Sequence, residues 1–289
     1  PLFKTDMRPS RPSSVRLDDF YLLELSPSEN ALRLAEEMSQ DEHIEYAQPN
    51  YIYRVTRVPN DPDYSRQYQW PQIMAPQAWD ITTGSEEVVI GVIDTGVDYE
   101  HEDLQANIWQ NPNEVIDGID NDGNGYVDDI RGWDFVNNAN DAATGEDGDV
   151  EDNDPMDFEG HGTFVSGCAA AVGNNSTGVA GASWNSKIMP LRAGYKRNDG
   201  AGALTGRGIM DAMTYAVQNG ADVLNLSFGG PFNDPAQRDL MRWAFDQGVV
   251  IVKAAGNDNS PIAPIQNTEP WILSVAAIDD LDKKATYSN

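Results

Sequence analysis

The sequence predicts an α/β domain built on a doubly wound, mostly parallel sheet, and three observations predict it. Apolar runs recur as EEVVIGVIDTG (86–96), ADVLNLSF (221–228), GVVIVKAAG (248–256) and WILSVAAI (271–278). Such near-continuous runs belong to strands buried on both faces of a parallel sheet. Helical segments at 205–219 and 234–247 fall between successive runs, the alternation that builds strand–helix–strand crossovers. The chain has 289 residues, 40% of them hydrophobic, enough for a core of this size.

The elements before the sheet are weaker. Residues 1–17 are polar and rich in Pro and Ser, which predicts a loose tail. FYLLEL (20–25) reads as a strand. SPSENALRLAEEMSQ follows, with a cap at Ser26 or Ser28 and with Ala31, Leu32, Leu34, Ala35 and Met38 on one helix face. HIEYAQPNYIYRV (43–55) returns to strand character, interrupted at Pro49. This β-α-β unit, spanning 18–56, is too small to stand securely alone. A Pro/Asp/Gln-rich connector (58–73) comes next, so the domain boundary falls within 55–60 and the larger domain occupies 57–289.

Residues 111–160 are rich in Asp, Asn and Gly, and so long an irregular segment inside a domain usually has a functional reason. The formal net charge of -28 argues against a nucleic-acid partner. It fits an acidic surface, a high-salt setting or bound cations. No apolar stretch is long enough to span a membrane, and residues 1–20 have no signal-peptide core. A single cysteine, Cys168, excludes an internal disulfide framework.

In an open parallel sheet, functional groups gather at the carboxyl ends of the strands. Asp94 ends one run, Asn225 lies in the next, and Asn257 follows VKAAG. The chain has three histidines, His43, His101 and His161. His161 opens a turn into the helical segment FVSGCAAAVG, where a helix N-terminus favours neutral imidazole. An Asp that fixes an imidazole, and an Asn that donates to an oxyanion, match acyl-transfer chemistry without establishing it.

Four blocks resemble the successive signatures of subtilisin-like serine proteases: VIDTGVDYEHEDL (92–104), GHGTFVSG (160–167), LNLSFGG (224–230) and AAGNDN (254–259). They follow the family's Asp, His order, and the resemblance covers about 59–289. It implies Asp94 as acid, His161 as base and Asn257 as oxyanion donor. It also implies that Leu226, Ser227, Phe228, Gly229 and Gly230, with Ala254, Ala255 and Gly256, wall the primary substrate pocket. Leu191, Arg192, Ala193 and Gly194 would form the edge that pairs with an extended peptide. AEEMSQDEHIEYAQPNYIYR (35–54) is similar to the last helix and strand of the family's inhibitory propeptide, which implies a zymogen with a shortened pro-domain.

The family's nucleophile sits in a GTSMA-like block, and no such block occurs here. The expectation is an incomplete chain, because the strand pattern stops at Asn289 with its sheet unfinished. This fragment alone is then inactive. The rival expectation is a natural loss of the serine in a peptide-binding or regulatory module. Phe164 stands where the family usually has a second histidine, which predicts altered packing near the cleft. Cys168 reads as a small buried helix residue or a mercury-sensitive thiol.

Three acidic segments raise the question of calcium. Asp120, Asp122, Asn124, Gly125 and Asp128 match EF-hand loop positions 1, 3, 5, 6 and 9, but position 12 is Arg131, for which Asp129 would have to compensate. Asp149, Asp152, Asp154 and Asp157 precede His161 and could converge on a cation that braces the base loop. By resemblance, the family's strong calcium site maps to Asp61, Asp103 and Asn175, with the carbonyls of Thr177 and Val179. Zinc is excluded by the lack of partner ligands at the right spacing, and GAGALTGRG (200–208) has neither the spacing nor the lysine of a phosphate loop. Together these readings predict a secreted, calcium-stabilised serine endopeptidase precursor acting on extended peptides.

Overall fold

A computed structural model describes residues 19–26, 28–51, 57–229, 234–261 and 269–289. Contacts divide the chain into two units, 1–55 and 56–289. In the first, the described residues hold one helix, α1 (Ala31–Met38). Its cap is Asn30, whose side chain accepts from Arg33 N at 3.1 Å, and not Ser26 or Ser28. Ser26 instead bonds Glu29 one turn earlier, at 2.7 Å from its own backbone amide. The strands expected at 20–25 and 43–55 do not form among the described residues. Tyr21, Leu22 and Leu23 stay 69%, 55% and 55% exposed, so this segment gains no apolar burial that would fix it in a ladder.

The second unit opens with short helices α2 (Gln69–Gln72) and α3 (Ala75–Trp79). Trp70, Trp79 and Trp184 form a small aromatic core, and the Trp70 and Trp79 indoles donate to Ala180 O and Ala182 O. The main sheet has six strands in the order β2 (Trp133–Asp134), β3 (Lys187–Arg192), β1 (Val89–Asp94), β6 (Val223–Leu226), β7 (Val250–Ala254) and β8 (Ile272–Val275). Every ladder in it is parallel. A hairpin of β4 (Gly194–Lys196) and β5 (Gly202–Leu204) stands apart.

Helices cover both faces. Ile93 of β1 packs in the cluster with α5 (Gly206–Gln218) and α6 (Pro235–Asp246), while its neighbour Val92 packs with Ala170 of α4 (His161–Ala170). Successive strand residues face opposite ways, so a doubly wound sheet needs apolar residues at consecutive positions. Thr205 and Asp234 cap α5 and α6 through their side chains. From β1 the chain reaches β3 on one side and β6 on the other, so the order reverses at β1. Ligands in such folds bind beyond the strand ends at this point.

Candidate active site

Asp94 is the last residue of β1 and fully buried. His161 is the first residue of α4, and its Nδ1 lies 2.7 Å from Asp94 Oδ1. The imidazole side chain is 47% exposed. The same Asp94 oxygen accepts from Thr95 N at 2.8 Å. The Asp94 hydrogen bond raises the His161 pKa above its ordinary 6.5, aided by Glu159 and Asp157 and opposed by burial. The carboxylate thus acts in the opposite direction to the helix N-terminus, which favours the neutral imidazole. His101 Nδ1 accepts from Asp103 N, and His43 pairs with Asp41 at the surface.

Two glycines allow this approach. Gly96 adopts φ +112°, in the left-handed region. A Cβ on Gly162 would lie 2.1 Å from Gly96 O and 3.0 Å from Asp94 Cβ. Gly162→Ala is expected to destabilise the complete gene product by about 1–3 kcal/mol and to push α4 from β1. Thermal melting checks this; an unchanged melting temperature would show that the close approach is not needed.

Asn257 follows β7 and is exposed beyond the same, carboxyl end of the sheet, two strands from Asp94. Its turn is held by a residue that sequence reasoning missed. Asn289 Oδ1 accepts from Asp258 N and Ser260 N, and Asn289 Nδ2 donates to Ala255 O at 3.1 Å. Ala255 N donates to Val275 O, and Gly256 takes φ +111°.

Among the expected pocket walls, Leu226 points into the main core and is 1% exposed, so its side chain does not face a pocket. Ser227 Oγ accepts from Asn225 Nδ2 at 2.9 Å, Phe228 is half-buried and Gly229 is exposed. Gly230 lies outside the described residues. Ala254 ends β7, half-buried beside these groups. Lys253 is buried beneath them, with Nζ 2.8 Å from Phe228 O and 4.5 Å from the Phe228 ring centroid. Burial pushes its ammonium down to about 8. An isolated Lys inside an apolar run gave no signal of this role.

The expected substrate edge is corrected. Leu191 and Arg192 lie in β3 between β1 and β2, paired with Ile93 and Asp94 on one side and Trp133 and Asp134 on the other. Ala193 N donates to Asp94 O, Ala193 O accepts from Thr205 N, and Gly194 pairs with Leu204 in the hairpin. Their backbone groups are committed, so no peptide can add there. Arg192 is fully buried and bonds Asp134, Glu146 and the Asp147 carbonyl. Among the described residues, β5 has no strand paired on its outer edge, and its Gly202 lies beside the Glu159 side chain.

The second acidic run does not converge on one cation. Asp154 accepts from Tyr99 Oη at 2.7 Å and Asp149 is exposed. Asp152 joins Asp134 and Asp147, where the Arg192 guanidinium already supplies the positive charge. Asp157 is saturated by protein donors.

The other two regions offer oxygen-rich sets that suit a hard cation. In the loop 111–131, carboxylate oxygens of Glu114, Asp120 and Asp122 lie within 4.8 Å of one another. Glu114 is buried and accepts from Asn121 N, Asp122 N and Asp128 N. It stands where the loop's own twelfth position fails. Asp128 turns away to cap Asp117 N and Gly118 N, and Asp129 bonds Tyr215 Oη, Asn111 and Asn124, so neither acts as expected. Asn124 also folds back, accepting from Tyr126 N. In the other region Asp61 and Asp103 are buried against the loop 174–179. Asn174 N donates to Asp61, and Asn175 Nδ2 and Val179 N donate to Asp103, so every one of these partners is uncharged. Thr177 N closes on Asn175 Oδ1. A cation fits both sets, because each gathers carboxylates with no basic side chain among these partners.

The subtilase family model matches residues 85–289. A thermophilic serine proteinase of Bacillus sp. (strain AK1) is 37% identical over 247 residues, 85% of this chain and 52% of its own length. Thermitase of Thermoactinomyces vulgaris is 35% identical, covering 80% of this chain and 69% of its own. This chain thus spans about half the length of the Bacillus relative. Among solved structures, one described as proteases from Pseudoalteromonas arctica PAMC 21717 superposes with a TM-score of 0.65 at 30% identity, over 81% of this chain and 69% of that one. With its parallel sheet, its Asp and His at adjoining element ends and this family match, the chain belongs to the subtilase family of serine proteases.

Proposed function

We propose that this chain carries the acid, base and oxyanion donor of a secreted, calcium-stabilised endopeptidase whose nucleophilic serine lies outside these 289 residues. The observation that carries the reading is the 2.7 Å contact between a buried carboxylate and a half-exposed imidazole. Asp94 accepts a hydrogen bond from the Nδ1–H of His161 and so leaves Nε2 free as the base. His161 takes the serine proton as the serine oxygen bonds to the substrate carbonyl carbon. It then gives that proton to the leaving amine as the C–N bond breaks, and water releases the acyl group by the reverse route. Asn257 donates to the tetrahedral oxyanion. The peptide runs extended along the free edge of β5, with Phe228–Gly229 and Ala254–Gly256 beside its primary side chain.

Calcium would be held by Glu114, Asp120 and Asp122, and by Asp61, Asp103, Asn175 and the carbonyls of Thr177 and Val179. When bound it supplies positive charge to gathered carboxylates and ties separate loops together. The segment 18–56 is read as propeptide remnant, inhibiting until removed. Secretion accords with relatives such as the halolysin-like extracellular serine protease Nep of Natrialba magadii, 34% identical to this chain.

The complete gene product should hydrolyse peptides and be labelled by a serine-reactive fluorophosphonate. Intact folding with neither property would favour a peptide-binding module instead. The raised His161 pKa sets the pH dependence. The base works neutral, so kcat/KM should climb on an acidic limb centred above the ordinary 6.5. A limb centred below 6.5 in a pH–rate profile would contradict the Asp94 contact as its cause.

A further inference from the structure

His161 and Asp94 belong to different elements, and something must hold the turn after β1 against the first turn of α4. Asp157 bonds both. Its Oδ1 accepts from Thr95 Oγ1 at 3.0 Å, Glu159 N at 3.0 Å and Gly160 N at 2.8 Å. Its Oδ2 accepts from Thr163 N at 2.9 Å and Thr163 Oγ1 at 2.6 Å. Thr95 follows Asp94 directly, while Thr163 lies two residues beyond His161. Thr95 Oγ1 also accepts from Gly162 N at 2.9 Å, so the two segments are stitched twice.

A second observation concerns the Thr95 proton. Asp94 Oδ2 is buried and has no hydrogen-bond partner among the described residues. A threonine hydroxyl has one proton to donate. Here it goes to Asp157, although the orphaned oxygen belongs to the adjacent residue. A carboxylate that receives fewer hydrogen bonds remains the stronger acceptor for its imidazole.

We propose that Asp157 is a positioning residue for the base: it locks the Thr95 turn to α4 and keeps the Thr95 hydroxyl away from Asp94. The proposal rests on reading Asp94 and His161 as acid and base. Asp157 touches neither substrate nor reacting atoms. The charged groups that act on His161 are Asp94 from β1, and Glu159 and Asp157 from the loop before α4. Loss of the Asp157 charge therefore lowers the His161 pKa. A Thr95 hydroxyl released toward Asp94 lowers it further, because Asp94 becomes the weaker acceptor. Both effects have the same sign.

The test is Asp157→Asn in the complete gene product, read by kcat, KM and the pH–rate profile. Displacing a reacting group by a fraction of an ångström to an ångström costs up to about 100-fold in rate. The expected result is a kcat lower by about 10- to 100-fold, a KM changed less than twofold, and an acidic limb moved to lower pH. The downfield proton resonance of the Asp94–His161 bond should move upfield. A second variant, Thr95→Val, leaves the Asp157 charge in place and removes the contested proton. It should lower kcat without moving the limb, and so gives a result even if Asp157→Asn fails to fold. If kcat and the limb stay fixed in Asp157→Asn, or kcat stays fixed in Thr95→Val, the positioning role is overturned while the acid–base reading stands. If Asp94→Asn and His161→Ala both keep full turnover, the acid–base reading itself falls. The two failures are thereby separated.

Discussion

His161→Ala in the complete gene product is expected to lower kcat by on the order of a millionfold, the scale known for the triad of subtilisin and not obtained from this chain. The reason is that the proposed unit works as one. Without the imidazole, the serine keeps its proton and the leaving amine receives none. KM should change little, because the peptide contacts proposed on β5 and the pocket walls do not involve the imidazole. Asp94→Asn should cost about 10,000-fold, since an amide at this buried position can donate to Nδ1 and hold the His161 imidazole in the wrong tautomer. Fluorophosphonate labelling should be lost in both variants, with melting measured to show that the fold persists. Labelling of His161→Ala at the unsubstituted rate would mean that another group activates the nucleophile.

The residues behind that expectation were legible because the sequence states them locally. VVIGVID is apolar at consecutive positions, which only a strand covered on both faces requires, and it ends at the carboxylate proposed as the acid. HGT lies at a helix start, and the helix forms from His161 itself. Strand β3 was not legible. KIMPLR carries Pro190, which removes a ladder donor and argues against an inner strand. The fold accommodates it because β2 pairs only with Leu191 and Arg192, just beyond the proline. The substrate edge that the resemblance places at Leu191–Gly194 falls on this strand and the hairpin after it, where β1, β2 and β5 already take the backbone groups.

Tertiary partners account for the other differences. Asp157 looked like one more carboxylate in an acidic run, and its five donors come from both sides of the acid–base contact. Arg192 answers Asp134 and Glu146 from more than forty residues away, which no local pattern could announce. Glu114 precedes the EF-hand-like positions instead of following them, so a template that looks for a twelfth residue passes it by. The first unit failed for an opposite reason: strand-like composition at 20–25 has no described ladder to enter.

Removal of calcium should have the largest effect on stability. Each proposed site would stabilise the folded chain through mass action by about 2.7 kcal/mol when free calcium exceeds its dissociation constant a hundredfold. For a domain of this size, about 1 kcal/mol corresponds to roughly 2–4 °C in Tm. Chelation should then lower Tm by about 5–10 °C for one site and about twice that for two. The sign follows from the carboxylates: Glu114, Asp120 and Asp122 are drawn within 4.8 Å, and like charges so placed repel unless a cation lies between them. Glu114→Gln should abolish one calcium-dependent increment and Asp103→Asn the other. The sites share no residue, so the two losses should add. Each variant is compared with and without chelator, which cancels hydrogen bonds lost in both conditions, such as those Glu114 accepts from Asn121 N and Asp128 N. The measurement is best made on protein that also carries His161→Ala, so that self-digestion does not mimic unfolding. If chelator leaves the unsubstituted Tm unchanged, calcium does not stabilise this fold. If Glu114→Gln keeps the full calcium increment, the cation is not held by the loop 111–131.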